Sequence, residues 1–158
     1  MRLTDIVQHG AIVASLGSNE RDAVISEMID AVVAADKALS KVRDELLGRV
    51  LDREKRGTTG FGKGIAVPHV KHRAIKHMRA AIGLSAGGID FNSLDKQPVY
   101  SVFLLLSPED RPEEHLQAME VIFKSLSEET FRRFLRQART ADEVRSLLEE
   151  ADSQRLAG

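Results

Sequence analysis

Apolar positions along the 158-residue chain fall into segments with two different rhythms. Ile12 to Leu16 form a short apolar run. Gly17-Ser18-Asn19 then supplies a turn and a helix cap, and Val24, Ile25, Met28, Ile29 and Val32 recur at helical spacing. This predicts a strand followed by an amphipathic helix. A second helical pattern runs through Val42, Leu46, Leu47, Val50 and Leu51 and stops at Gly57, where a left-handed helix end is expected. From Gly57 to Gly64 four glycines fall in eight residues, which predicts irregular chain rather than a helix or strand.

Ile65-Ala66-Val67 reads as a brief strand stopped by Pro68, which lacks a donor for the ladder, so His69 sits at a strand end. Two more strands follow, Ala80 to Ser85 and Val99 to Leu106. The second is continuously apolar and is expected to be central and covered on both faces. A helix starts near Pro112 and carries Leu116, Met119, Ile122, Phe123 and Leu126 on one face, with His115 on the same side. Ser127 is expected to cap a helix bearing Phe131, Phe134 and Leu135. Thr140 with Glu143 spells a capping box for a last helix bearing Val144, Leu147 and Leu148, and Asp152 to Gly158 read as a frayed tail. Strands alternating with helices predict a single α/β domain over residues 1–158, a three-layer sandwich with helices on both faces of the sheet.

Composition agrees with one globular core: 42% of residues are apolar and 30% charged, and a chain of this size typically buries about 70% of its unfolded surface. The absence of cysteine excludes disulfides, thiolate zinc sites and a cysteine nucleophile. With 23 basic against 24 acidic side chains, the formal charge of -1 gives no general attraction to nucleic acid. The apolar run at Val99 to Leu106 is far shorter than the roughly 20 residues of a spanning helix. The opening segment is interrupted by Asp5, Gln8 and His9 and makes a weak signal peptide, so a cytoplasmic protein without membrane insertion is expected.

Two motifs suggest chemistry that their context argues against. Gly57 to Gly64 nearly spells a nucleotide-binding P-loop, but Gly64 stands where a Ser or Thr would hold magnesium, and Ile65-Ala66-Val67-Pro68 cannot open a helix. Gly83-Leu84-Ser85-Ala86-Gly87 matches a hydrolase nucleophile elbow, making a serine hydrolase at Ser85 the alternative enzyme. The glycines after Ser85 predict a turn, not the helix an elbow requires.

Among the five histidines, His9, His72 and His77 have polar or basic neighbours and are expected at the surface, the last two in a basic stretch with Lys71, Arg73, Lys76 and Arg79. His69 and His115 are different: a strand end and the first turn of a helix can converge at a sheet end, where α/β ligand sites gather. Without a third ligand the pair does not make a zinc site, and neither metal nor cofactor is expected. Neutral imidazole, with an ordinary pKa of about 6.5, can instead accept a phosphoryl group. The protein's part is then to position donors around the transferring oxygens, which Arg53, Thr58, Thr59, Gly60, Gly62 and His115 could supply.

Arg53-Glu54, Gly57-Thr58-Thr59-Gly60 and Gly62-Lys63-Gly64-Ile65-Ala66-Val67-Pro68-His69 together resemble the active-site segment of the fructose/mannitol-type enzyme IIA of the bacterial phosphoenolpyruvate-dependent phosphotransferase system, including its nitrogen-regulatory branch. Gly88-Ile89-Asp90-Phe91, Phe103 to Leu106 and His115-Leu116-Gln117-Ala118-Met119 extend the likeness over nearly the whole chain. The resemblance implies a mixed sheet flanked by helices and a phosphohistidine formed on Nε2 of His69. The donor would be the carrier protein HPr, and onward transfer would go to a IIB partner in sugar uptake. It implies His115 as the second, phosphate-contacting imidazole, Arg53 as the arginine beside it, and Thr59, Gly60 and Gly62 at the phosphate.

Val70 stands where that family usually has a small residue, and with Lys71, His72 and Arg73 it is expected to narrow the approach to His69. HPr in this family presents a basic face, so Glu109, Asp110, Glu113 and Glu114 beside His115 are expected to steer it. The alternative role is a regulator whose phosphorylation state changes binding to a target protein without onward transfer. The lack of IIB, IIC or HPr modules in this chain leans towards that form.

Overall fold

The computed structural model describes residues 1–7 and 11–157; His9 therefore lies outside the described residues. In chain order the elements are α1 (Leu3–Val7), β1 (Ala11–Val13), α2 (Arg21–Ala35), a 3-10 segment (Lys37–Val42) and α3 (Arg43–Arg56). They continue with β2 (Gly60–Gly62), β3 (Ile65–Ala66), β4 (His69–His72), β5 (Arg79–Ile89), β6 (Val99–Pro108), α4 (Pro112–Leu126), α5 (Glu129–Gln137) and α6 (Ala141–Ala157). The strands form one mixed six-stranded sheet in the order β1-β5-β6-β3-β2, with β4 also on β6. β6 is paired along both edges, antiparallel to β5 and parallel to β3 and β4. That double pairing explains its apolar run, because both faces of a central strand are covered.

Strand periodicity divides the core in two. Ala80, Ile82, Leu84, Phe103 and Leu105 project to a layer made by α1, α4, α5 and α6, through Ile6, Ile122, Leu135 and Leu148 among others. Ala81, Ile89, Val102, Leu104 and Leu106 project to the opposite layer, where α2 and α3 present Val24, Met28, Leu46 and Val50. This is the three-layer α/β sandwich expected from the alternation of strands and helices.

Several local expectations change. Gly57 ends α3 with φ 169°, which is extended backbone, so no left-handed residue is needed there. The glycine-rich stretch is partly regular: Gly60–Gly62 pairs antiparallel with β3, and the turn Gly62-Lys63-Gly64 takes positive φ at all three residues. The strand broken by Pro68 resumes at once as β4, so His69 opens a strand instead of closing one. Register is kept across the break, with Ala66 opposite Val102 and His69 opposite Leu105. Gly83 to Gly87 lies inside β5, and the Ser85 hydroxyl accepts the Gly88 N–H at 3.0 Å, so the elbow of a Ser85 hydrolase is not formed.

In the C-terminal half, Leu116 is 62% exposed because His115, Ala118 and Ile122 take the inner face of α4. Ser127 does not cap α5; its hydroxyl donates back to Lys124 O and closes α4. Half of the capping box at α6 forms, with Thr140 Oγ1 accepting from Glu143 N at 3.1 Å, while the Glu143 carboxylate accepts from Arg139 N, one residue before the cap. Asp152 is not frayed: it is buried in α6 and accepts from the N–H groups of Leu3 and Thr4 and from the Thr4 hydroxyl, joining α6 to α1. No helix among the described residues is long and apolar enough to cross a membrane.

Candidate functional site

β4 carries alternate side chains to opposite faces of the sheet. His69 follows Ile65 and Val67 in pointing to the α4 layer, whereas Val70 packs against the α2–α3 core. Val70 therefore does not narrow the approach to His69 from the α4 side. His115 enters from the first turn of α4, and the two imidazole rings lie with centroids 5.6 Å apart and planes inclined by 53°.

Each ring is held through Nδ1. His69 Nδ1 lies 2.9 Å from Val67 O; a carbonyl can only accept, so Nδ1 carries the proton and Nε2 is left with a free lone pair. No hydrogen bond engages His69 Nε2 among the described residues. His115 Nδ1 lies 2.7 Å from the fully buried Ser107 Oγ, which is itself 3.1 Å from Met78 Sδ. Burial is the main reason that both imidazoles are held below their ordinary pKa of 6.5. His115, 7% exposed, is pushed down to about 4 by burial and then by the charges of His69 and Lys71. For His69, burial outweighs the opposing Val67 hydrogen bond, and Arg53 and Lys71 add to the lowering while Glu54 resists it. Both rings are thus neutral at neutral pH.

The surrounding residues are placed as follows. Arg53, in the last turn of α3, donates from Nη1 to Gly57 O at 2.7 Å and acts on His69 through its charge. Thr59 is fully buried, with its amide and hydroxyl both donated to the carboxylate of Glu54, so neither expected donor is free. The Gly60 N–H is likewise taken, by Thr58 Oγ1 at 3.0 Å. A Cβ on Gly60 would stand 2.5 Å from Ser93 Oγ, which explains why glycine is required there; Gly62, at φ +110°, starts the turn into β3. Thr59 O accepts from Val67 N at 3.1 Å. A continuous chain therefore runs from Glu54 through Thr59 and Val67 to the ring of His69.

The other histidines divide. His77 is exposed as expected, but His72 is fully buried, with Nδ1 accepting from Ala74 N and Nε2 3.2 Å from Glu45 Oε1. Arg79 is also buried and pairs with Asp36 at 2.8 Å, so the expected basic stretch is not a solvated run. Of the acidic cluster, Glu109, Asp110 and Glu113 are exposed beside α4, and Glu114 lies 3.8 Å from Arg111. Sequence reasoning placed Lys71 beside His69 as added positive charge, and the charge of Lys71 does act on both imidazoles, but it missed the contacts of Ser107 and Glu54. Lys71, two residues after His69 in β4, lies on the same face of the strand. Among the described residues no cluster of three or more His, Asp or Glu could hold a metal ion.

The sequence profile described as "Phosphoenolpyruvate-dependent sugar phosphotransferase system, EIIA 2" matches residues 5–151. The chain is 35% identical to a fructose-specific EIIA component of Haloferax volcanii over 82% of this chain and 83% of that one. It is also 35% identical to a nitrogen regulatory protein of Bradyrhizobium diazoefficiens, over 94% and 95%. A fructose-specific EIIABC component of Bacillus subtilis matches at 32% over 96% of this chain, which spans only 24% of that longer protein. In structure, the nitrogen regulatory protein IIA-Ntr of Neisseria meningitidis superposes with a TM-score of 0.81 at 25% identity, over 92% of this chain and 98% of its own. The IIA mannitol component of Escherichia coli, solved in complex with phosphorylated IIB, shares the fold at TM-score 0.71 and 22% identity, over 88% and 94%. With a family profile covering nearly its full length, around the paired imidazoles, this chain belongs to the EIIA 2 family of the phosphoenolpyruvate-dependent sugar phosphotransferase system.

Proposed function

We propose that His69 is a phosphoryl carrier, charged on Nε2 by the phosphohistidine of HPr and discharged to a protein partner in the cytoplasm. The observation that carries this reading is the fixed tautomer of His69, with Nδ1 tied to Val67 O and Nε2 free beside the His115 ring. The Nε2 lone pair attacks phosphorus, an N–P bond forms, and the N–P bond of the donor breaks with its electron pair returning to the donor's ring. No metal-bound nucleophile is needed, because the transition state is loose and asks mainly for positioning and donors at the equatorial oxygens. His115 serves as one donor, the unused edge of the Arg53 guanidinium as another, and Lys71 adds positive charge. Thr59 and Gly60 act on the geometry of the loop, and Gly62 lets the chain turn back into β3.

The acidic residues Glu109, Asp110, Glu113 and Glu114 steer a basic carrier towards the pair. Reversing these four charges would then slow phosphorylation and flatten its salt dependence. Onward transfer to a IIB component has support in the mannitol complex of the similar fold. A regulatory role has support in nitrogen regulatory proteins matched at 35% identity over nearly the whole of both chains.

The test is incubation with phosphoenolpyruvate, enzyme I and HPr. The expected result is an acid-labile, alkali-stable mass gain that maps to His69 and is absent from His69→Ala. No gain, or a gain elsewhere, overturns the reading. Transfer to a IIB partner supports the transport role, whereas a partner whose binding follows the charge at His69→Glu without phosphoryl loss supports the regulatory one.

A further inference from the structure

A second concave site lies on the α4–α6 side of the sheet, away from the histidine pair. It is a cleft of about 810 Å³ between α5, the turn at Lys63 and Gly64, and the start of β6. This volume falls within the range of small-molecule sites. Five cationic side chains line it, Lys63, Arg132, Arg133, Arg136 and Arg139, against two carboxylates, Asp95 and Glu129.

The cations lack carboxylate counterions, as do Arg53, Arg56, Arg73 and the other lysines among the described residues, but here five converge on one cleft. Seven arginines elsewhere in the chain each lie within 3.8 Å of a carboxylate, from Arg2 with Asp5 to Arg145 with Asp142. None of the five cleft cations forms an ion pair among the described residues. Arg132 gives one N–H to Leu126 O and keeps the rest of its fork. Arg136 is preorganised: its guanidinium carbon sits 3.6 Å from the centre of the Tyr100 ring. That ring is in turn seated against Gly64 and Gly88, where an added Cβ would come within 3.1 and 3.2 Å of it. A stacked guanidinium keeps its N–H edges free for an anion.

We propose that this cleft binds a small phosphorylated polyanion carrying a diphosphate group. Arg132 and Arg136 are one helical turn apart, so their side chains start about 6 Å from each other and can grip adjoining phosphates. The two carboxylates in the lining and the overall charge of -1 disfavour a long nucleic-acid strand. Ile65 lines the cleft and shares its sheet face with His69, at a strand distance of about 13 Å. The site is therefore near the histidine pair but separate from it, and the proposal does not depend on phosphorylation of His69.

The experiment is calorimetric titration of the full chain, at low and moderate salt, with ADP, pyrophosphate and AMP. ADP and pyrophosphate are expected to saturate one site, with AMP at least tenfold weaker. The double variant Arg132→Gln/Arg136→Gln should lose at least tenfold in affinity, whereas Arg49→Gln on α3 should lose nothing. Tighter binding of ADP than pyrophosphate assigns a nucleotide, and equal binding assigns the diphosphate itself. Absence of saturation, or equal binding by both variants, overturns the proposal. So does saturation by a single-stranded oligonucleotide or polyglutamate alone. Amide shifts of Gly64 and Ala86 in the wild-type chain on adding pyrophosphate give a reading independent of how the variants fold; unchanged shifts there also overturn it.

Discussion

His69 and His115 face one another across 5.6 Å, yet they are held by partners of different kind. The Val67 carbonyl that holds His69 can only accept, which locks that ring in one tautomer. The Ser107 hydroxyl that holds His115 can donate or accept, so the second ring can be either donor or acceptor at Nε2. The asymmetry fits a nucleophile beside an adaptable helper. His69→Ala should abolish phosphoryl acceptance, and His115→Ala should slow it by about 100-fold, the usual effect of removing one preorganised donor. Rapid-quench phosphorylation with labelled HPr measures both; an unaltered rate in His115→Ala would remove it from the mechanism.

The acceptance rate should depend weakly on pH through the ordinary histidine range. Because burial and the nearby cations hold His69 below 6.5, its reactive neutral form persists on acidification past that value. Lys71→Gln removes one of the depressing charges and should move the acid limb of the pH–rate profile upward. Stability carries the complementary signature through His115. Between about 4 and 6.5 the unfolded chain binds a proton that the folded ring refuses, so stability rises with pH across that window. The gain is at most about 3 kcal/mol. Denaturation midpoints over this range should show a shallower slope in His115→Gln.

Ser107→Ala should leave the fold intact and change the tautomer balance of His115. The serine has one proton: given to Met78 Sδ it leaves Oγ to accept from Nδ1–H, and turned to Nδ1 it leaves Nε2 of His115 carrying the proton, able to hydrogen-bond a phosphoryl oxygen. Without it, the Nε2–H tautomer loses its partner. Imidazole ¹⁵N shifts should report mixed tautomers, accompanied by a transfer rate reduced by about tenfold. Unchanged shifts would show that the serine does not set the ring's state.

Glu54 is buried and receives both donors of Thr59, whose own carbonyl steadies Val67. Glu54→Ala leaves a buried amide and hydroxyl unpaired and should cost about 3 kcal/mol in urea unfolding. Glu54→Gln, which keeps one acceptor oxygen, should cost about half as much. Both variants should slow phosphoryl acceptance in the same order, since the disturbance reaches the His69 ring through Val67 O.

Much of this arrangement can be read from the amino-acid order because it is local. Pro68 beside His69, the eight-residue apolar run of β6 and Pro112 before His115 each announce themselves within a few residues. What escapes is decided by distant partners. His72 looks solvent-facing among lysine and arginine, yet period-two alternation in β4 turns it into the sheet towards Glu45 of α3. Arg79 looks like one more basic residue until Asp36, 43 positions away, arrives to pair with it. Thr59 looks like a free hydroxyl beside glycines because nothing in its own neighbourhood reveals that Glu54 of α3 folds over it. Leu116 fits the apolar stripe of α4 by spacing, and only the position of the sheet shows that the inner face lies one residue earlier.

The break at Pro68 costs the sheet a donor but not its count, since the residues on either side stay in step along β6. The proposed receiving nitrogen is consequently mounted on a short strand held in register against the doubly paired, doubly covered β6. Its placement is completed when the chain folds, before any visitor arrives. Turnover should then be governed by how quickly two proteins meet and separate, with little reshaping required at the receiving end.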